Sequence, residues 1–107
     1  MKNNDMQAKL KDFHLKISRK PLRPEIRLLD VSSEIGELAK EILKATEYGS
    51  KTFFATSEFK EELGDLLYSV LSLCEECDLS AEELLQKTLA KYESRWSKTG
   101  QLGSSVE

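Results

Sequence analysis

Two short acidic phrases hold the residues best suited to chemistry: Glu34-Ile35-Gly36-Glu37-Leu38 and Glu62-Leu63-Gly64-Asp65-Leu66. Each sets two carboxylates three residues apart, with a glycine before the second acid and an apolar residue after it. They lie inside longer matching frames, Ser33 to Glu47 and Glu61 to Glu75, offset by 28 residues throughout. If gathered in one place, four carboxylates repel one another, since a like-charged pair 4 Å apart costs about 4 kcal/mol at an effective dielectric of 20. Either protons or cations must relieve that repulsion. A donor set made only of oxygen suits Mg2+ or Mn2+, and Mg2+ commonly takes phosphate oxygens as its remaining ligands. Such a site predicts phosphate chemistry. The competing reading is a set of solvent-facing acids on an acidic helical protein, which is what a single pair at this spacing would suggest.

Whether the phrases meet depends on the elements that carry them. At about 100° per residue, Glu34 and Glu37 lie about 60° apart on a helix, and Glu41 falls between them in angle one turn on. From Pro24 to about Glu47, Leu28, Val31, Ile35, Leu38, Ile42 and Ala45 keep helical phase, and the acids flank that apolar stripe. A further helix, under way by Glu58 and ending near Asp78, has Phe59, Leu63, Leu66, Val70, Leu73, Cys74 and Cys77 on its apolar face. Glu62 and Asp65 border this face as Glu34 and Glu37 border theirs. Between the helices, Gly49 suits the left-handed conformation that ends a helix, and Ser50, Thr56 or Ser57 can cap the next one. In an antiparallel hairpin centred between Gly49 and Ser50, Glu34 stands level with Asp65 and Glu37 with Glu62, because both pairs of residue numbers add to 99. This register requires helical rise to resume near Lys51 or Thr52. A coil through Ser57 would shift it by up to about 7 Å.

Two more helices complete the chain. Met6, Leu10, Phe13 and Ile17 predict one over roughly residues 5–18. His14 borders its stripe and reads as a partly buried or surface residue, because no second histidine exists to share a metal. Pro24 suits the first turn of the next helix and Glu25 complements its positive end. Arg19, Lys20, Arg23 and Arg27 form a basic cluster that could meet phosphates or simply line a solvated loop. Ser80 and Glu83 make a capping box, followed by Leu84, Leu85, Leu89, Tyr92 and Trp96 as an apolar stripe ending near Trp96. Four helices with no strand candidate predict an all-α, four-helix bundle-like single domain whose antiparallel central pair carries the acids. Residues 1–97 read as this domain and 98–107 as a flexible tail.

The chain has 107 residues, too few to bury much apolar surface alone, so completion by oligomerisation is expected. A net charge of −3 argues against a coat for nucleic-acid polymers. No apolar run approaches the roughly 20 residues that span a bilayer, and the N-terminus lacks a signal peptide's apolar centre, which predicts a cytoplasmic protein without a membrane partner. Cys74 and Cys77 form a C-x-x-C, but a structural zinc site needs about four ligands and the chain offers only these and His14. They read as reduced, core-facing residues.

The paired motif, Glu34-x-x-Glu37 and, 24 residues later, Glu62-x-x-Asp65, resembles that of the MazG-type all-α nucleoside triphosphate pyrophosphohydrolases over about residues 24–96. That resemblance implies hydrolysis of a nucleoside triphosphate, or its deoxy form, to monophosphate and pyrophosphate. It implies Mg2+, with Mn2+ as a substitute, held by Glu34, Glu37, Glu62 and Asp65 as the catalytic acids, one of which could instead serve the attacking water. Many relatives have a further glutamate where this chain has Ser33, whereas the second frame keeps Glu61, so Glu41 or Glu61 is a candidate additional acid. In place of the last-helix asparagine or lysine of relatives, Lys87, Lys91 and Arg95 form a basic stripe that could bind phosphate or be a solvated face. Phe53, Phe54, Tyr68 and Trp96 are candidates for stacking on a base, or for core or interface. The resemblance also implies a homodimer or homotetramer. Two other functions compete: the related phosphoribosyl-ATP pyrophosphohydrolase, and a non-catalytic helical interaction or regulatory module.

Overall fold

The structure, a computed structural model, describes residues 5–103, which form four α-helices and no strand. The outermost residues of the expected domain and tail, 1–4 and 104–107, lie outside the described residues. Helix α1 spans Met6–Lys16, α2 Pro24–Ala45, α3 Ser57–Glu76 and α4 Ala81–Thr99. Their starts follow local chemistry. The Asp5 carboxylate accepts from the Gln7 and Ala8 amides, Pro24 opens α2, and the Thr56 and Ser80 hydroxyls accept from the Phe59 and Glu83 amides. Helix α4 runs three residues past the expected end and is closed by Gly100 at φ 73°.

The turn after α2 is left-handed over three successive residues, Glu47, Tyr48 and Gly49, at φ 48°, 59° and 89°. Two of these lack glycine's freedom, at roughly 1–2 kcal/mol each. Thr46 offsets part of that cost, since its buried hydroxyl donates to the Ile42 carbonyl at 2.7 Å and accepts from the Gly49 amide at 3.0 Å. The chain then stays non-helical through Thr56, so the expected return to helix near Lys51 does not occur. The register survives nonetheless. Ser69 Oγ donates to Asp30 Oδ2 at 2.7 Å, joining two short side chains whose numbers add to 99. Residues 46–56 form an excursion beyond the helix ends, so their winding does not set the pairing of α2 with α3.

Helix α2 packs along α3, α1 lies against α3, and α4 contributes no buried residue. The side chain of Gln7 ties the start of α1 to the start of α4, donating to the Leu79 carbonyl at 2.8 Å and accepting from the Ala81 amide at 2.7 Å. Among the described residues the buried apolar side chains are Leu10 and Val31, beside buried His14, Arg27, Thr46, Ser69 and Ser72. The core is therefore small and largely polar. Leu28, Ile35, Ile42, Leu63 and Val70, expected on buried stripes, are exposed in the single chain. The stripes of α2 and α3 are wider than the faces these helices cover on each other. Cys77, expected to face the core, is exposed as the C-terminal cap of α3, and Cys74 is half-buried.

Candidate active site

Glu34 on α2 and Glu62 and Asp65 on α3 each bring a carboxylate oxygen within 4.8 Å of the others. The side chains arrive there because Asp30 and Ser69, one turn away on each helix, pin the two helices together on the same side. Burial, and then the charges of Asp30, Asp65, Glu62 and Glu37, push the Glu34 carboxyl above its ordinary range. Glu62 is raised likewise, by desolvation first and then by Asp65, Glu37, Glu41 and Glu61. The centre therefore concentrates negative charge. Three carboxylates converging without nitrogen or sulfur donors fit a hard divalent cation such as Mg2+ or Mn2+.

The fourth acid of the paired motif, Glu37, stands outside this trio, with its Oε2 3.8 Å from Lys40 Nζ. Its charge still acts on both Glu34 and Glu62. Glu41 is held by Lys44 at 3.4 Å, and Glu61 is exposed outside the trio. Lys87 and Lys91 are exposed on α4, with Lys91 Nζ 5.2 Å from the centre of the Tyr92 ring. Arg95 lies 6.0 Å from the same ring and donates to the Leu102 carbonyl at 3.1 Å. Phe53 packs edge-on against Phe59, whereas Phe54 and Trp96 are 75% and 61% exposed.

Behind the acids runs a polar seam that sequence reasoning missed. Arg27 is 3% exposed, and its guanidinium reaches Glu76 through Nε at 3.0 Å and Nη2 at 2.9 Å, and Asp30 through Nη1 at 3.0 Å. This residue, read as a candidate phosphate contact, is instead an internal clamp between α2 and α3. Tyr68, read as a candidate for base stacking, accepts from Arg19 Nη1 through its hydroxyl, which also lies 2.8 Å from His14 Nε2. His14 Nδ1 lies 2.8 Å from Glu75 Oε1, so the histidine is a buried link between α1 and α3. One signal was available for the clamp. At the hairpin register Arg27 stands level with Ser72, a small residue that leaves room for a long side chain to reach Glu76 one turn on.

Fold and acids together define an all-α hairpin protein with a carboxylate-only centre. Residues 23–99 match the MazG nucleotide pyrophosphohydrolase domain, and the chain belongs to that family. It is also similar to YpjD of Bacillus subtilis (strain 168), a protein described as uncharacterised, at 30% identity over 94 residues, covering 85% of this chain and 83% of the relative. The crystal structure of YpjD from Bacillus subtilis, described there as a candidate pyrophosphatase, superposes with a TM-score of 0.68 at 28% identity, covering 86% of this chain and 98% of that one.

Proposed function

We propose that the protein hydrolyses nucleoside triphosphates, in ribose or deoxyribose form, to the monophosphate and pyrophosphate with Mg2+, for which Mn2+ can substitute. The observation that carries this reading is the convergence of Glu34, Glu62 and Asp65 in a chain of the MazG family. These three residues would hold the cation, which when bound supplies charge neutralisation and polarisation at the phosphate oxygens. Glu37, the acid of the paired motif that stands outside the trio, is left to accept the proton of the attacking water. Attack by water breaks one phosphorus–oxygen bond of the α–β bridge, leaving the bridging oxygen on the other product.

The same reading extends to assembly and place. The exposed flanks of α2 and α3 and the absence of buried residues on α4 support a homodimer or homotetramer. A substrate from the nucleotide pool supports a cytoplasmic setting and a role in clearing unwanted nucleotides. Among the described residues no helix is long and apolar enough to cross a membrane.

The test is pyrophosphate release from a panel of nucleoside and deoxynucleoside triphosphates and phosphoribosyl-ATP, with and without Mg2+ or Mn2+, alongside thermal melting. Metal-dependent release from the triphosphates, lost in Glu62→Gln, is the expected result. Release from phosphoribosyl-ATP alone would reassign the substrate. The absence of both turnover and metal stabilisation would favour a non-catalytic module.

A further inference from the structure

Asp30 lies one helical turn before Glu34 on α2, and Ser69 lies one turn after Asp65 on α3. The bonded Asp30 and Ser69 thus form the rung directly behind Glu34 and Asp65 in the hairpin. Both hydrogen bonds to Asp30, from Ser69 Oγ at 2.7 Å and Arg27 Nη1 at 3.0 Å, end on Oδ2. Arg27 is itself fixed by Glu76, so the carboxylate is anchored from two helices and cannot swing away. The bond from Ser69, and then that from Arg27, holds its carboxyl below the ordinary range, so Asp30 is charged at neutral pH. Four residues on, about 6 Å along the helix axis, Glu34 lies on the same face of α2. On α2, where Ser33 stands in the frame position that Glu61 fills on α3, Asp30 supplies a negative charge from another position.

We propose that Asp30 is a positioning residue of the carboxylate centre, a fixed charge locked by Ser69 and Arg27 that strengthens the hold of Glu34, Glu62 and Asp65 on a divalent cation without ligating it. This rests on the reading of the trio as a cation site. Second-sphere groups that orient or polarise ligating carboxylates commonly change metal affinity by about 10–100-fold. A purely electrostatic neighbour that makes no hydrogen bond to a ligand acts below that scale.

The experiment is direct Mn2+ binding to the full chain without nucleotide, by electron paramagnetic resonance, for wild type, Asp30→Asn and Glu75→Gln. Asp30→Asn keeps the shape and an acceptor oxygen but removes the charge. Glu75→Gln removes one charge by the same isosteric change at a position about 15 Å along α3 from Asp65, beyond the screening length of about 8 Å at physiological salt. It also weakens the contact with His14, which makes it a control for lost stability. The expected result is an affinity loss of about three- to tenfold in Asp30→Asn and less than about twofold in Glu75→Gln. Wild-type affinity in Asp30→Asn, or equal losses in both variants, would overturn the proposal while leaving the cation site standing. Absence of Mn2+ binding in the wild type would overturn both.

Discussion

Arg27 and Glu76 face each other across the α2–α3 interface with side chains 4% and 3% exposed and their closest contact at 2.9 Å. Removing one partner strands a buried charge, which typically costs about 3–5 kcal/mol, whereas replacing the pair with apolar residues of similar volume is often close to neutral. Arg27→Ala should therefore lose about that much stability by urea denaturation. The double variant Arg27→Met with Glu76→Leu should recover only part of the loss, because Asp30 and the Leu22 amide lose the partners that the pair gives them. Arg27→Lys keeps the charge but not the fork, and should fall between them.

The acid limb of stability should report Asp30. Its carboxyl, held by Ser69 and Arg27, titrates below the ordinary 3.8. A depressed folded pKa contributes stability that is present above the unfolded value and is lost as pH falls through the folded one. Ser69→Ala removes the leading cause. It should cost about 1 kcal/mol at neutral pH, and in the variant the loss on acidification should begin at the same unfolded-state pKa but end at a higher pH and be smaller. Urea midpoints from pH 7 to pH 3, compared between the two proteins, check both the offset and its narrowing in acid.

Glu34 shows the opposite sign. Its carboxyl is raised, so the folded metal-free chain binds that proton more tightly than the unfolded one, and stability declines as pH rises through the raised value. Glu34→Gln should accordingly melt higher than wild type without metal at pH 7.5, by about 2 °C, which corresponds to a partly screened repulsion of a few tenths of a kcal/mol. It should also lose most of the stabilisation that Mg2+ gives the wild type. The two effects should cross within a single Mg2+ titration followed by melting.

What the sequence made legible was periodic or paired. Helical spacing located all four helices, and two phrases offset by 28 residues marked the acids that converge. The level pairing of α2 and α3 was legible too, although the chain reaches it through a non-helical loop instead of an early restart at Lys51. The interior was not legible, because an apolar stripe records which face avoids water without saying what covers it. Leu28, Ile35 and Val70 are exposed in the single chain, while Arg27 and Ser69, polar in any composition count, are buried. Long-range pairs such as Arg27 with Glu76 need the register before they can be seen.

The two motif glycines offer a test of what covers the acidic hairpin. Gly36 and Gly64 lie inside α2 and α3, and neither has the positive φ that would require a glycine. A Cβ built on either meets nothing within 4 Å in the single chain. Alanine should therefore gain the helix-propensity difference of about 0.8–1 kcal/mol at each site, and the two gains should add to within about 0.5 kcal/mol if the sites are independent. The expected outcome is a higher urea midpoint for Gly36→Ala, for Gly64→Ala and, most of all, for the pair. Sedimentation should accompany these measurements, because the proposed oligomer has to cover part of the α2 and α3 flanks. If either alanine lowers stability and dissociates the assembly together, the space beside that glycine is filled by a second copy. If stability rises but pyrophosphate release falls, the same space belongs to the substrate.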